Sequence, residues 1–472
     1  MSLKMPAWMS AYATRFLPFA DAASHDLPLG RLLRLSMFQL VIGMIMALMV
    51  GTLNRVMIVE LHVPAWWVAM AVAIPMVFAP LRTLIGYRSD THPSALGLRR
   101  IPYLWTGSLL LFGGLAVMPF ALLLLAEAVP ETLLLGQLGA GLSFIMIGTG
   151  LQVTQTAGMA LANDVAQEDK RPRVVALLYC MLLLGMILSS VLYGLFLSDF
   201  TPLRMIQVIQ GSAVLVIVIN LVSMWKQESR QAKRGARKAG GFSASWKELI
   251  ALPQMRRFLW TVGLGSFAFS MQDIVLEPYG AEILGLNVGN TSSLTALGAI
   301  GSLVAFGLSA KWLASGWHAC RLASFGVLIG LPAFALVIFA APTESVAMFR
   351  TGVVLIGFGS GLFSVGMLVT AMSFENTRMS GLILGTWGAV QATATGAAMA
   401  MGGAVRDLVT EMALSGRLGE ALNSPITGYS FVYHLEMYLL FVVLIALGPL
   451  LKKSRHEPSQ PILKFGLAEL PN

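Results

Sequence analysis

The sequence predicts an all-α membrane protein with twelve transmembrane helices in two pseudo-symmetric six-helix halves. Three observations support this prediction: a series of long apolar stretches, an uneven distribution of basic residues between them, and an internal repeat. Hydrophobic residues make up 56% of the 472 residues and charged residues only 12%, which is unlike a soluble globular domain. Each stretch has about 20 residues or more, enough to cross the hydrocarbon layer as a helix. The predicted spans are residues 33–58, 64–86, 101–126, 132–160, 173–197, 202–225, 257–283, 290–312, 319–341, 346–372, 379–403 and 430–451.

Basic residues lie almost entirely in alternate connections between the apolar stretches. The chain has 32 Lys and Arg residues, and all lie on one side except Arg55, Arg204, Arg350, Arg406 and Arg417. Cytoplasmic connections are enriched in Lys and Arg, so this pattern predicts that both termini are cytoplasmic. It also explains the net charge of +9, which therefore does not indicate a nucleic-acid partner. We expect a multi-pass protein of a bacterial inner membrane.

The order of apolar and polar segments predicts five regions along the chain. A strongly basic stretch separates the sixth and seventh spans and is interpreted as a linker between the halves. After the eleventh span, apolar residues follow helical spacing and predict an amphipathic helix on the outer membrane surface. The predicted regions are a cytoplasmic N-terminal segment with an interfacial helix (1–32), the N-terminal half (33–225), the linker (226–256), the C-terminal half (257–451, with the outer helix near 405–415) and a cytoplasmic tail (452–472).

The two halves resemble each other in sequence. Gly148-Thr149-Gly150-Leu151 in the fourth span corresponds to Gly359-Ser360-Gly361-Leu362 in the tenth span. The same offset, without a gap, carries Asp164 onto Glu375, and each acid lies at the cytoplasmic end of its span. Parallel six-helix repeats related by an axis along the membrane normal are typical of the major facilitator superfamily. The repeat therefore predicts that fold.

Few ionisable residues lie within the predicted spans, and such residues usually face a partner or water. Arg55, next to Asn54, lies near the outer end of the first span, while Asp273 and Glu277 lie on one face of the seventh. A pseudo-twofold axis would bring these places together near the centre of the bundle. We expect an inter-half polar cluster, with a salt bridge from Arg55 to one of the acids closing the outer side. The alternative is that the acids relay protons.

The connection between the second and third spans resembles the G-x-x-x-D…G-R-[RK] signature of the facilitator superfamily, lengthened by an insertion. Acidic and basic residues at cytoplasmic helix ends can pair and hold neighbouring helices together. We interpret the set as structural latches without a ligand role. The latch candidates are Gly86, Arg88, Asp90, Arg99, Arg100, Asp164, Arg171, Glu375 and Arg378.

Four sequence strings resemble those of the PucC/LhaA family, the bacteriochlorophyll-delivery branch of the facilitator superfamily in phototrophic purple bacteria. They are residues 16–23 (FLPFADAA), 54–61 (NRVMIVEL), 79–92 (APLRTLIGYRSDTH) and 99–103 (RRIPY). The similarity extends from about residue 15 to residue 452 and is strongest over 50–105. The strings are long, so the resemblance is specific to this family.

The resemblance implies an assembly factor for light-harvesting antennae, which holds or hands over bacteriochlorophyll a as antenna polypeptides insert. It implies the α and β antenna polypeptides as partners, with the reaction-centre core complex or pigment-synthesis enzymes as further candidates. The location would be the intracytoplasmic photosynthetic membrane. The rival interpretation is a proton-coupled secondary transporter of a small solute or pigment precursor. An enzyme is not expected, because the sequence contains no nucleotide-binding loop, zinc spacing or catalytic triad order.

Histidines beside aromatic residues are the candidates for pigment contact. All six histidines lie at predicted helix ends or in connections, where a solvated polar side chain is the ordinary interpretation. The alternative is axial ligation of the magnesium of a chlorin, with aromatic faces stacked on the macrocycle. The candidates are His62, Trp66 and Trp67, and His434, Tyr433 and Tyr438. No metal site of the protein's own is expected, because the two cysteines form no C-x-x-C pair.

Overall fold

A computed structural model describes residues 27–77, 79, 98–126, 130–167, 170–228, 242–251, 254–374 and 380–454, and the regular elements within these ranges are all helical. The helices are α1 (Leu29–Met46), α2 (Ala65–Val77), α3 (Ile101–Ala126), α4 (Pro130–Val165), α5 (Arg171–Phe196), α6 (Pro202–Met224), α7 (Phe242–Ala251), α8 (Met255–Ser270), α9 (Leu276–Glu282), α10 (Val288–Ala314), α11 (Ala319–Ala340), α12 (Val346–Met372), α13 (Ser380–Leu414) and α14 (Ile426–Ser454).

Several predictions concern residues outside these ranges. They are the interfacial helix of the N-terminal segment, part of the basic linker, most of the tail, and the latch candidates Gly86, Arg88, Asp90, Glu375 and Arg378.

Ten helical segments within the described ranges are long and apolar enough to cross a membrane. They coincide with ten of the twelve predicted spans, and their ends differ from the predictions by a few residues. The other two predicted spans, 64–86 and 379–403, correspond to α2, of which 13 residues are described, and to α13, which has 35 residues. The chain is therefore an all-helical, multi-pass membrane protein.

The predicted outer helix near 405–415 is not a separate element, because α13 continues through it to Leu414. Gly402 and Gly403 would favour a break at this point, but both are used for close packing. A Cβ on Gly402 would lie 2.5 Å from the carbonyl oxygen of Met271, and one on Gly403 would lie 2.8 Å from that of Ala65. Close packing of α13 against its neighbours thus accompanies a continuous helix where the sequence predicted a separate surface helix.

Two of the predicted spans are irregular. In the first, the α-helix gives way to π-helix over Ala47–Leu53 and again over Val56–Glu60. In the seventh, α8 ends at Ser270, a 3₁₀ turn follows over Met271–Ile274, and α9 resumes at Leu276. Irregular helix of this kind is frequent at functional sites and leaves backbone groups without their usual partners. Both irregular segments face each other in the centre of the bundle.

Helix pairs pack closely through glycine. In α3 and α4, a Cβ on Gly150 would lie 2.8 Å from the carbonyl oxygen of Gly107. In α11 and α12, a Cβ on Gly359 would lie 2.7 Å from that of Gly326. The helices before residue 225 (the N-terminal helices) contact those after residue 254 (the C-terminal helices) through α2 with α13 and α5 with α10. Small residues at such crossings allow backbones to approach where lipid offers no hydrophobic driving force.

Candidate functional site

The irregular segments of the first and seventh spans meet at a junction between the N-terminal and C-terminal helices. The Asn54 side chain donates a hydrogen bond to the carbonyl oxygen of Ile274, with 2.7 Å between the atoms. That oxygen belongs to the 3₁₀ turn and is accessible because the helix is broken there. The hydroxyls of Thr52 and Ser292 lie 3.3 Å apart at the same junction. The structure thus brings Asn54 against the seventh span.

The predicted salt bridge from Arg55 to Asp273 or Glu277 is not formed, because Arg55 pairs with a different acid. The guanidinium of Arg55 pairs with Glu60 of its own segment, at 2.5 Å, because the second π-helical stretch shifts Glu60 onto the same face. An oxygen of Glu277 instead accepts a hydrogen bond from Thr295, at 2.6 Å. Arg55 still attracts Glu277 electrostatically, so the two residues are near each other without direct pairing.

A cavity of about 290 Å³ opens beside this junction in the centre of the bundle. Its walls come mainly from the C-terminal helices, with Met46, Val50, Leu183 and Met186 contributed by the N-terminal ones. The polar part of the lining includes both acids of the seventh span, one amide side chain from each of two helices, and several hydroxyls. These residues are Ser266, Ser270, Gln272, Asp273, Glu277, Thr295, Ser302, Ser360, Ser364, Gln391 and Thr395.

Glu436 is a buried acid that was not among the predicted site residues. It lies on α14 with no exposed surface, and its carboxylate accepts a hydrogen bond from the backbone N–H of Gln272, at 2.7 Å. That N–H lies in the broken part of the seventh span, so Glu436 satisfies a donor that the helix break leaves free. The signal was present in the sequence, because an acid inside a predicted span is itself unusual.

A second group of polar residues links helix ends on the side predicted to be outer. Arg406 of α13 pairs with Glu282 of α9 at 2.5 Å and donates to the hydroxyl of Tyr429 of α14 at 2.8 Å. Its neighbour Asp407 accepts a hydrogen bond from the backbone N–H of Trp66 at 2.8 Å. A carboxylate at this position caps the start of α2. This group, which we call the outer network, joins α13 to α2, α9 and α14.

On the side predicted to be cytoplasmic, the described latch candidates lie together. Arg100 and Asp164 form an ion pair at 3.0 Å, and Arg171 donates to the carbonyl oxygen of Asn163 at 3.3 Å. Glu228, which was not predicted, accepts hydrogen bonds from the backbone N–H groups of Arg99, Arg100 and Ile101 at 2.7, 3.0 and 3.1 Å. It therefore caps the N-terminus of α3, where a negative charge is favourable.

The pigment-contact candidates on α14 fall on two faces. His434 and Tyr438 are one helical turn apart and exposed, with 67% of Tyr438 accessible, whereas Tyr433 is fully buried against Tyr279 and Phe334. Nδ1 of His434 lies 2.7 Å from the carbonyl oxygen of Ser430. A carbonyl oxygen cannot donate, so Nδ1 carries a proton, and in the neutral ring Nε2 presents its lone pair. Tyr433 is a core residue and does not share this face.

The other pigment-contact candidates lie in the turn between the first two spans and at the start of α2. His62 is exposed and has a positive φ of 53°. Trp66 is 49% exposed, while Trp67 packs partly buried against the core. This group lies at the rim of the bundle near the outer network. Throughout the ranges that the structure describes, no three His, Cys, Asp or Glu residues come together as they would to hold a metal ion.

Comparison with known sequences gives a consistent set of relatives. The sequence model of the PUCC protein family matches residues 52–455. Protein PucC of Rhodovulum sulfidophilum is 48% identical over 405 residues, which cover 84% of this chain and 89% of that protein. An uncharacterised protein from the puhA-bchM intergenic region of Rhodobacter capsulatus is 48% identical over 470 residues, 98% of each chain. The bacteriochlorophyll synthase 44.5 kDa chain of the same species is 26% identical over 401 residues, 80% of this chain and 88% of that one.

Solved structures with similar folds are transporters of distant sequence. A bacterial homologue of the human lysosomal transporter Spinster, in an inward-facing and unoccupied conformation, has a TM-score of 0.65 at 13% identity, covering 89% of this chain and 97% of that one. The nucleoside transporter NupG has a TM-score of 0.58 at 15% identity, covering 89% and 99%. At these identities the likeness shows the fold alone, which is that of transporters of the major facilitator type.

Proposed function

The chain belongs to the PucC family, and on this premise we propose that it is an assembly factor for bacterial light-harvesting antenna complexes. It holds bacteriochlorophyll a or delivers it to antenna polypeptides in the membrane, and this role is not enzymatic. The likeness to a chain named for bacteriochlorophyll synthase supports the connection to this pigment. The partners are the α and β antenna polypeptides, with the reaction-centre core complex or pigment-synthesis enzymes as further candidates.

The proposal includes the complete topology. Twelve spans form two six-helix halves, with α2 and α13 as parts of the second and eleventh spans and both termini cytoplasmic. Two contacts support a twofold relation between the halves: α2 with α13, and α5 with α10. A twofold axis would place the second span on the eighth and the eleventh span on the fifth. It would therefore convert the contact of α2 with α13 into the contact of α10 with α5. The glycine crossings of α3 with α4 and α11 with α12 fit the same relation. The location is the intracytoplasmic photosynthetic membrane.

The observation that carries the pigment role is the exposed face of α14. Phe431, His434, Tyr438, Phe441 and Ile445 are all exposed and recur at helical spacing. His434 lies about two turns from the start of α14, and an imidazole on a lipid-exposed face is costly unless a partner binds it. Neutral imidazole with a fixed tautomer is a good ligand for a metal ion. His434 would ligate the magnesium of bacteriochlorophyll through Nε2, and Tyr438 would pack against the macrocycle.

The size of the central cavity also supports an external pigment site. Its volume of about 290 Å³ lies at the lower end of pockets for drug-sized ligands, which span roughly 300–1,000 Å³. A bacteriochlorophyll, with its macrocycle and long isoprenoid tail, is bulkier than such a ligand. A lipid-exposed helix face accepts this shape, and an antenna polypeptide can reach it from the bilayer.

The test is purification of the protein in mild detergent from a phototrophic host, followed by an absorption spectrum and identification of co-purifying polypeptides. We expect bacteriochlorophyll and antenna subunits in near-stoichiometric amounts. The His434→Ala variant should lose most of the pigment, whereas His318→Ala, at the start of α11, should keep it. A colourless, partner-free wild-type protein would contradict the assembly role. Unchanged pigment in the His434→Ala variant would contradict the proposed site.

One observation favours a second candidate function, proton-coupled secondary transport of a small solute or pigment precursor. The central cavity is lined by Asp273 and Glu277, and intramembrane acids facing a cavity are typical of transport pathways. Its test is proton flux into proteoliposomes that contain the purified protein. The Asp273→Asn and Glu277→Gln variants should abolish solute-dependent flux if this function is present, and absence of flux in the wild type with all candidate solutes would exclude it.

A further inference from the structure

We propose that the central cavity binds a small organic cation that carries a primary ammonium group. The ionisable residues of the cavity lining favour a cation. Two carboxylates, Asp273 and Glu277, face the cavity, and no Lys, Arg or His belongs to its described lining. Arg55 attracts Glu277 from outside the cavity, but its guanidinium is already paired with Glu60. The described lining therefore offers acidic groups and no basic one, which favours a cation over an anion.

Two residues of the cavity lining each have a buried acceptor oxygen without a hydrogen-bond donor. Glu277 is 2% exposed, and while one oxygen binds Thr295, the other, Oε2, has no hydrogen-bond partner. Gln272 is 6% exposed, and its Oε1 is likewise without a partner. Buried polar atoms are costly when unpaired, so both acceptors are suited to a donor supplied by a ligand. A primary ammonium carries three donors and no acceptor, which suits a cavity lined by Gln272, Asp273 and Glu277.

The remaining walls of the cavity offer further polar and apolar contacts to a ligand. Ser360, Ser364, Gln391 and Thr395 offer hydroxyl and amide groups, which can bind a hydroxyl or a second polar group of the ligand. Phe269 and Phe363, with ring centroids 6.0 Å apart, belong to the apolar part of the wall. A metal ion alone fits poorly, because no metal-binding cluster of three acids or histidines occurs in the described chain. The volume of about 290 Å³ restricts the ligand to a small molecule.

The experiment compares three probes of nearly equal size: ethanolamine, ethylene glycol and glycolate. Binding to the detergent-purified full chain is measured by titration calorimetry and by the thermal unfolding temperature. We expect saturable binding of ethanolamine, with a rise in unfolding temperature, and no binding of the neutral diol or the anion. This comparison uses the wild-type protein, so it does not depend on how a variant folds. Absence of ethanolamine binding, or equal binding of glycolate, would overturn the proposal.

Variants locate the site. Asp273→Asn and Glu277→Gln should each weaken ethanolamine binding by about tenfold or more, because each removes one charge that faces the ammonium in a buried site. The matched control is Asp199→Asn, an exposed acid that pairs with Arg204 away from the cavity; it should bind as the wild type does. Undiminished binding by both cavity variants would place the cation elsewhere. The measurement uses no pigment or antenna polypeptide, so its outcome is independent of the assembly role.

Discussion

Gly51 lies directly against the carboxylate of Glu277: a Cβ on Gly51 would be 2.5 Å from Oε1 of Glu277 and 2.7 Å from the hydroxyl of Thr295. The first π-helical stretch brings this backbone into contact with the seventh span, and the missing side chain leaves room for the buried acid. The junction between the N-terminal and C-terminal helices therefore depends on backbone shape at least as much as on charge pairing.

Gly51→Ala should destabilise the protein by about 1–3 kcal/mol, because the added methyl must displace a buried carboxylate or the backbone that carries it. The measurement is the unfolding midpoint in detergent. Gly30 is the matched control, since it lies on α1 and a Cβ there meets nothing within 4 Å. Gly30→Ala should leave stability unchanged or slightly raised. Equal midpoints for the two variants would contradict the proposed close contact.

Replacing Glu436 tests the capping of the broken helix. Glu436→Leu should destabilise the protein by about 1–3 kcal/mol, because the backbone N–H of Gln272 then has no acceptor in a buried site. Glu436→Gln keeps a carbonyl oxygen and should cost clearly less. Tyr438→Leu, a substitution on the exposed face of the same helix, is the control and should unfold like the wild type. If the leucine and glutamine variants unfold alike, the hydrogen bond to Gln272 is not the source of stability.

Most of the fold could be predicted from the sequence, because hydropathy decides which segments enter a bilayer. The predicted and observed ends of the spans at 101–126 and 346–372 are the same. The irregularities could not be predicted in this way, because a π-helical stretch or a 3₁₀ turn has the same composition as the helix that it interrupts. The Arg55–Glu60 pair follows from one such irregularity, and a regular helix would separate these side chains.

The site was predicted in part for a related reason. Acids and arginines within spans can be identified from the sequence, and Asn54, Asp273 and Glu277 do lie at one junction or cavity. The hydrogen-bond partners of these residues are harder to predict from the sequence, because backbone N–H groups and hydroxyls supply many of the contacts. Glu228 caps α3 from about 130 positions away along the chain, and no local pattern indicates such a contact. Tyr433 was grouped with His434 because it is the adjacent aromatic residue, but adjacent residues of a helix point in different directions, and Tyr433 lies in the core.

The capping of α3 by Glu228 gives a further prediction. Glu228→Ala removes a charged acceptor from three consecutive N–H groups at a helix N-terminus, which should cost about 1–2 kcal/mol. Glu248→Ala, an exposed acid on α7, is the control and should be neutral. The unfolding midpoint of each purified variant provides the measurement. If both variants match the wild type, the contacts of Glu228 make no net contribution to stability.

The outer network should hold the N-terminal and C-terminal helices together on its side of the bundle. Asp407→Ala removes the hydrogen bond from the backbone N–H of Trp66, the contact by which the network reaches α2, so the helix ends should separate more often. The reporter is a cysteine at Ser292, which is buried and lies beside Thr52. Its maleimide labelling should be several times faster with Asp407→Ala. Arg417→Ala, at an exposed position, is the control, and equal labelling in the two backgrounds would show that the outer network does not hold these helices together.

The two proposed functions differ in their dependence on the central acids, because pigment binding is assigned to the exterior and transport to the cavity. In a phototrophic host that lacks the native gene, Asp273→Asn and Glu277→Gln should restore antenna absorption to near the wild-type level. His434→Ala should restore much less, since it removes the proposed magnesium ligand while leaving the cavity intact. Membrane abundance of each variant must be matched, because a buried acid can also affect stability. Antenna absorption that follows the central acids instead of His434 would assign the assembly role to the cavity and contradict the exterior site.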